Sequence, residues 1–136
     1  MKAITYIPTG AALLPAALKL DAVVTGANGA AYLALGGPLG DLLGVPASTL
    51  RMLGAFLLVF AIGVWAVAAR PHRAAVSAVI GANELWVAAS IVVLIADTWT
   101  PSTAGAVWTA MQAATVAAFA VLQLIGLRRT RAAGLS

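Results

Sequence analysis

The chain contains no cysteine, which excludes disulfides, thiol nucleophiles, thiolate metal sites and covalent c-type haem attachment. Its single histidine, His72, leaves little room for an imidazole metal centre or a histidine relay. Charge is scarce as well: 9% of the 136 residues are Asp, Glu, Lys or Arg, against about 25% in soluble domains. Acids are the rarest, four beside eight Lys and Arg. There is no Gly-rich phosphate loop, no paired catalytic carboxylates, no Ser/His/Asp set and no His-Glu-x-x-His. Ser77 and Ser90 have no histidine at their depth to act as base. The expectation is therefore a chain that is not an enzyme and holds no cofactor or metal.

What remains is apolar. Hydrophobic residues make up 62% of the chain and the mean hydropathy is +1.01, which argues strongly against a soluble fold. Four stretches of about 20 residues or more separate cleanly, near 18–37, 47–69, 74–96 and 102–127. Each matches a hydrocarbon core of about 30 Å at 1.5 Å per helical residue. Alanine and leucine dominate without period-two alternation, so helices are expected rather than barrel strands.

The boundaries carry helix punctuation. Gly36-Gly37-Pro38 ends the first stretch, since glycine accepts a left-handed cap and proline cannot continue a helix. Pro46 and Pro101 stand at the entrances of the second and fourth, where a missing amide hydrogen costs little. Thr100 is the expected N-cap of the fourth. Residues 1–17, interrupted by Pro8 and Pro15 and lacking a small-residue cleavage pattern, read as a retained interfacial helical lead-in.

Charge sets an orientation. In a four-span topology Lys2, Lys19, Arg70, Arg73, Arg128, Arg129 and Arg131 fall on one side, whereas the opposite loops hold Asp41, Asp97 and one base, Arg51. The positive-inside rule makes both termini cytoplasmic. Residues 128–136 then form a basic cytoplasmic tail whose arginines suit anionic lipids, at about 1 kcal/mol per basic residue near the surface. Nucleic acid is not an expected partner, because no soluble domain presents these charges. Arg51 should snorkel or form an external-interface ion pair with Asp41 or Asp97.

Two halves superpose at an offset of 55: Gly26-Ala27-Asn28 falls on Gly81-Ala82-Asn83, and Pro46 on Pro101. This suggests two hairpins repeated in parallel about an axis along the membrane normal. Stripes of small residues mark expected packing faces, among them Ala22, Gly26 and Gly29 in the first span and Gly54, Ala61 and Ala68 in the second.

Polar residues are the rarer signal. Asp21, Thr25, Asn28 and Tyr32 share a face by helical spacing, and Thr109, Gln112 and Gln123 align. Glu84 lies mid-span with Ser77, Gly81 and Ala88, and Asn83 is about 100° round the helix. An acidic side chain there costs roughly 2.5 kcal/mol or more. Two readings stand. Glu84 is structural, protonated and donating to Asn28, Gln112 or a carbonyl; or it faces a hydrated cavity and exchanges protons or cations. The candidate intramembrane site is Glu84, Asn83, Asn28, Thr25 and Gln112.

The stretch Leu43-Gly44-Val45-Pro46 through Leu50-Arg51-Met52-Leu53-Gly54, leading into the apolar second span, resembles the small four-helix DoxX-like membrane proteins of bacteria. The alanine-rich, arginine-tailed style is similar to that of actinobacterial membrane proteins. The resemblance implies a four-span topology over residues 18–127. The chain departs from it in lacking an acid in the second span.

The expected fold is all-α, a four-helix transmembrane bundle of two hairpins in the bacterial cell membrane. The expected function is a non-enzymatic subunit or interaction partner in a membrane assembly, as a homo-oligomer or with another membrane protein. The alternative is a proton- or cation-coupled carrier or channel using Glu84 with Asn28 and Asn83.

Overall fold

The computed structural model describes residues 9–96 and 102–132, and these are helical apart from short connections. The elements are α1 (Thr9–Ala34), α2 (Gly36–Leu43), α3 (Ala47–Ala69), α4 (Arg73–Ala96) and α5 (Thr103–Ala132). The second expected span coincides with α3, and the third and fourth fall on α4 and α5, with α5 running on through the first arginines of the tail. Three helices, α3, α4 and α5, are long and apolar enough to cross a membrane.

The first stretch differs most from expectation. Helix α1 starts at Thr9 rather than near Leu18 and carries Pro15 inside it. The lead-in, where it is described, is thus a continuous part of α1. Pro15 lies past the first turn of α1, where proline removes one i→i−4 bond and crowds the carbonyl four residues before it; packing of the same segment offsets the loss. Leu14, Ala17 and Leu18 are buried, Leu14 and Leu18 against Val64 and Ala68 of α3, Val76, Val79 and Ile80 of α4 and Leu127 of α5. The consequence for function is a shift of register: Asp21 stands at the middle of a 26-residue helix instead of at its cytoplasmic end.

Gly36-Gly37-Pro38 also does more than end a helix. After a break at Leu35 it opens α2, with Pro38 in the first turn, where its missing N–H is not needed. Gly44 closes α2 in the left-handed conformation (φ 72°), its N–H donating to the Gly40 carbonyl at 2.9 Å. The loop that follows ties the far ends together. Ser102 donates from Oγ to the Leu42 carbonyl at 2.7 Å, and its Oγ accepts from Gly105 N–H at 3.1 Å. Ser102 therefore caps α5; Thr100, Pro101 and Trp99 lie outside the described residues.

Helix α1 is the hub, packed on α3 and α5, with α5 in turn on α4; α3 and α4 hardly meet. The α1–α3 seam is set by glycine. A Cβ on Gly29 would stand 2.8 Å from the Gly54 carbonyl oxygen, and one on Gly54 would stand 2.7 Å from that of Gly29. The backbones touch, as small-residue stripes permit, while Gly26 meets Ala61 at ordinary contact distance. At the other end Leu14 blocks a side chain on Gly126, so α1 lies between two close neighbours.

The outward faces are apolar. Met52, Val59, Ile62, Leu85 and Ile95 are each 70% or more exposed, a surface suited to acyl chains rather than water. The hydrophobic contacts among Ala68, Val76 and Leu127 bring Arg70, Arg73, Arg128 and Arg129 to the end of the bundle opposite α2, while Lys19 lies further in along α1. The two hairpins are not packed alike. A two-fold axis would make α1 on α5 equivalent to α4 on α3, yet only the first pair is extensive. Correspondingly, Gly26 abuts Ala61 while Gly81 faces open space.

Candidate polar site and interhelical cleft

Three helices place polar groups at one point inside the bundle. Asp21 of α1 and Gln123 of α5 have no exposed surface, and Asn83 of α4 and Thr25 of α1 are also buried. The Asp21 carboxyl accepts every described hydrogen bond it makes. Thr25 Oγ1, one turn on in the same helix, donates to Oδ1 at 2.8 Å. Asn83 Nδ2 and Gln123 Nε2 both donate to Oδ2, at 2.8 and 2.7 Å. Asn83 Nδ2 gives its other hydrogen to Gln123 Oε1 at 3.1 Å. Both amides turn an NH2 group toward the same carboxyl oxygen, which fixes their orientation. The cluster ties α1, α4 and α5 together.

Where α3 and α4 diverge, a cleft opens in two lobes. One, of about 290 Å³, is lined by Thr25, Asn28, Phe56, Asn83, Trp86 and Gln112 among others. The second, of about 210 Å³, lies toward α2 and is bounded by Tyr32, Val45, Leu53, Trp86, Trp108 and Gln112 with further apolar residues. Trp86, Ala89 and Gln112 border both lobes. Trp108 donates from Nε1 to the Tyr32 hydroxyl at 2.7 Å, closing the wall between α5 and α1. A third groove, about 360 Å³, runs on the outer side between α4 and α5.

Four of the five candidate site residues, Asn83, Asn28, Thr25 and Gln112, thus meet at one cavity. Glu84 does not. It is exposed on another face of α4 and borders the outer groove with Ala88, Ala117 and Ala120. Among the described residues the buried acid is Asp21, and its partner Gln123 was likewise outside the expected site. Spacing held the signal for both: Asp21 is one turn before Thr25, and Gln123 is eleven residues after Gln112, on one face.

Of the external group, Arg51 lies over α2, with Cγ 2.9 Å from where a Cβ on Gly36 would stand. Asp41 is exposed in α2, and Asp97 is outside the described residues. His72 is exposed before α4, and its Nδ1 accepts weakly from Ala75 N–H at 3.5 Å. Lys19 places its ammonium 5.9 Å from the Trp65 ring centre, within cation–π range.

Comparison with family models, with curated proteins and with solved structures found no match to the chain, so the DoxX-like resemblance gains no support from them.

Proposed function

We propose that this chain is a four-span protein of the cell membrane, with both termini cytoplasmic, working as a non-enzymatic subunit of a membrane assembly. Helix α1, at 26 residues, is about 39 Å long and crosses as the fourth span alongside α3 and α5. Lys19 and Asp21 lower its hydropathy, but Asp21 is satisfied inside the bundle and Lys19 reaches over Trp65. The basic residues at one end favour a cytoplasmic location for that end. The exposed Arg128 and Arg129 there suit anionic headgroups.

One observation carries the assembly reading: Glu84, midway along α4, is exposed beside a groove bordered by Ala88, Ala117 and Ala120. A carboxyl group facing acyl chains costs about 2.5 kcal/mol or more. A neighbouring helix with a hydrogen-bonding side chain removes that cost, and alanines let its backbone come close. The partner is a second copy or another membrane helix. The test measures the mass of the purified chain in lipid nanodiscs and its crosslinking in native membranes. Wild type and Glu84→Gln should assemble alike, whereas Glu84→Leu and the groove-filling Ala88→Phe should lower the assembled fraction at least tenfold. A monomeric wild type, or assembly indifferent to both substitutions, overturns the reading.

A second reading, the proton- or cation-coupled carrier, draws on a different observation. Thr25 and Asn83, which hold the buried Asp21, both border the cleft beside Asn28. The alternative expected from the sequence used Glu84 with Asn28 and Asn83; the acid held by residues of the cleft wall is Asp21. Flux in proteoliposomes should be lost in Asp21→Asn and kept in Glu84→Gln.

A further inference from the structure

The cleft between α3 and α4 has an unusual polar inventory. Asn28 and Gln112, both half-buried, make no side-chain hydrogen bond to another described residue, although each carries two donors and an acceptor. Asn83, 4% exposed, spends both Nδ2 hydrogens on Asp21 and Gln123, and its Oδ1 accepts from no described donor. Unpaired groups of this kind in a bilayer interior demand a partner. Of the other polar groups on the walls, Ser90 donates to the Trp86 carbonyl, Thr109 to the Gly105 carbonyl and Trp108 to Tyr32, whereas the Trp86 indole N–H and the Tyr32 hydroxyl hydrogen meet no described acceptor.

We propose that this cleft binds a neutral, hydroxyl-bearing single-chain amphiphile, its headgroup on Asn28, Gln112 and Asn83 and its tail in the lobe toward α2. The chemistry of the walls selects the class. A hydroxyl both donates and accepts, so it can give its hydrogen to Asn83 Oδ1 and take one from Asn28 Nδ2 or Gln112 Nε2. Among the described residues no basic side chain borders either lobe, which disfavours an anionic head. The lobe toward α2 is almost wholly apolar, with Val45, Leu50, Leu53 and Val93 along it. Lobes of about 290 and 210 Å³ joined at a waist suit one chain; a helix with side chains, about 10 Å across, does not fit. Because α3 and α4 hardly touch, the ligand enters sideways from the bilayer.

This inference rests on the membrane reading but not on the assembly reading. The probe is 12-bromododecan-1-ol, whose bromine quenches tryptophan on contact. The host is the chain in nanodiscs in a Trp65→Phe/Trp99→Phe background, leaving Trp86 and Trp108, both on the cleft. Quenching should saturate. Ala89→Phe, which fills the waist, and Asn28→Leu/Gln112→Leu, which removes the free amides without breaking a described bond, should each raise half-saturation at least tenfold. Quenching that rises without saturating, or that saturates equally in both variants, overturns the proposal. Saturation by the bromododecyl trimethylammonium analogue at equal concentration also overturns it, pointing to cation attraction by Asp21. Failure to enter nanodiscs refutes the membrane reading itself, so the two failures are separable.

Discussion

The Asp21 cluster makes a sharp energetic prediction, because its members satisfy one another and cannot be removed singly without leaving an orphan. Gln123→Leu deletes two interhelical bonds, one to Asp21 and one from Asn83. Interhelical bonds in membrane bundles average about 0.6 and reach about 1.7 kcal/mol. The carboxyl left short of a donor in a fully buried position adds about 1–3 kcal/mol. The expected cost is therefore about 2–4 kcal/mol, and Asn83→Val, which also breaks two interhelical bonds, should cost a similar amount. Asp21→Val should cost less, about 1–2 kcal/mol, since Asn83 and Gln123 still bond to each other and Thr25 can turn its hydroxyl to its own helix backbone. The triple variant Asp21→Val/Asn83→Val/Gln123→Leu removes every orphan together. Replacing a buried polar network by apolar residues of similar volume is often neutral, so it should lie within about 1 kcal/mol of wild type. The assay is unfolding in mixed micelles titrated with sodium dodecyl sulfate, read by helical circular dichroism. Single costs that simply add in the triple variant, or a Gln123→Leu cost below about 0.5 kcal/mol, refute mutual satisfaction as the basis of the cluster.

Gly29→Ala should destabilise by about 1–3 kcal/mol through overpacking, because its Cβ would meet the Gly54 carbonyl at 2.8 Å; thermal unfolding in detergent reads the loss. Gly81→Ala, with nothing within 4 Å, should be neutral or stabilising by up to about 1 kcal/mol from helix propensity, and a loss as large as that of Gly29→Ala would contradict the packing described. Tyr32→Phe removes the acceptor of the Trp108 indole N–H, and should cost about 1 kcal/mol and shift Trp108 emission. Unaltered emission and stability would separate that pair.

Helix ends were legible in this sequence only in part: Gly36-Gly37-Pro38, expected to end a helix, opens α2 instead. Pro46 stands at the entrance of α3 as expected, whereas α2 and its closure by Gly44 with a positive φ were not anticipated. The small-residue faces were legible too: Gly29 and Gly54 come from stripes whose only use in a bilayer is close approach. The start of α1 was not. Pro15 and Lys19 read as interruptions of an apolar run, whereas burial of Leu14 and Leu18 by three other helices carries α1 through them. That single shift of about nine residues moved Asp21 from an interface to the bundle interior, and with it the identity of the buried acid.

Adjacent residues on α4 show why facing could not be read from hydropathy. Asn83 and Glu84 are neighbours about 100° apart on one helix; one joins the buried cluster and the other is exposed beside the outer groove. In a soluble helix the apolar stripe would decide which turns inward, because water penalises the alternative. Lipid is as apolar as a side-chain core, so both rotations bury similar hydrocarbon and the stripe carries no vote. The decision falls instead to the few polar groups that find partners. Asn83 can reach both Asp21 and Gln123, and no rotation that turns Glu84 inward keeps those two bonds. The cluster therefore sets the rotation of α4. That rotation leaves Glu84 exposed to a neighbour and Asn83 at the margin of the cleft, so one set of hydrogen bonds orients both surfaces on which the functional proposals rest.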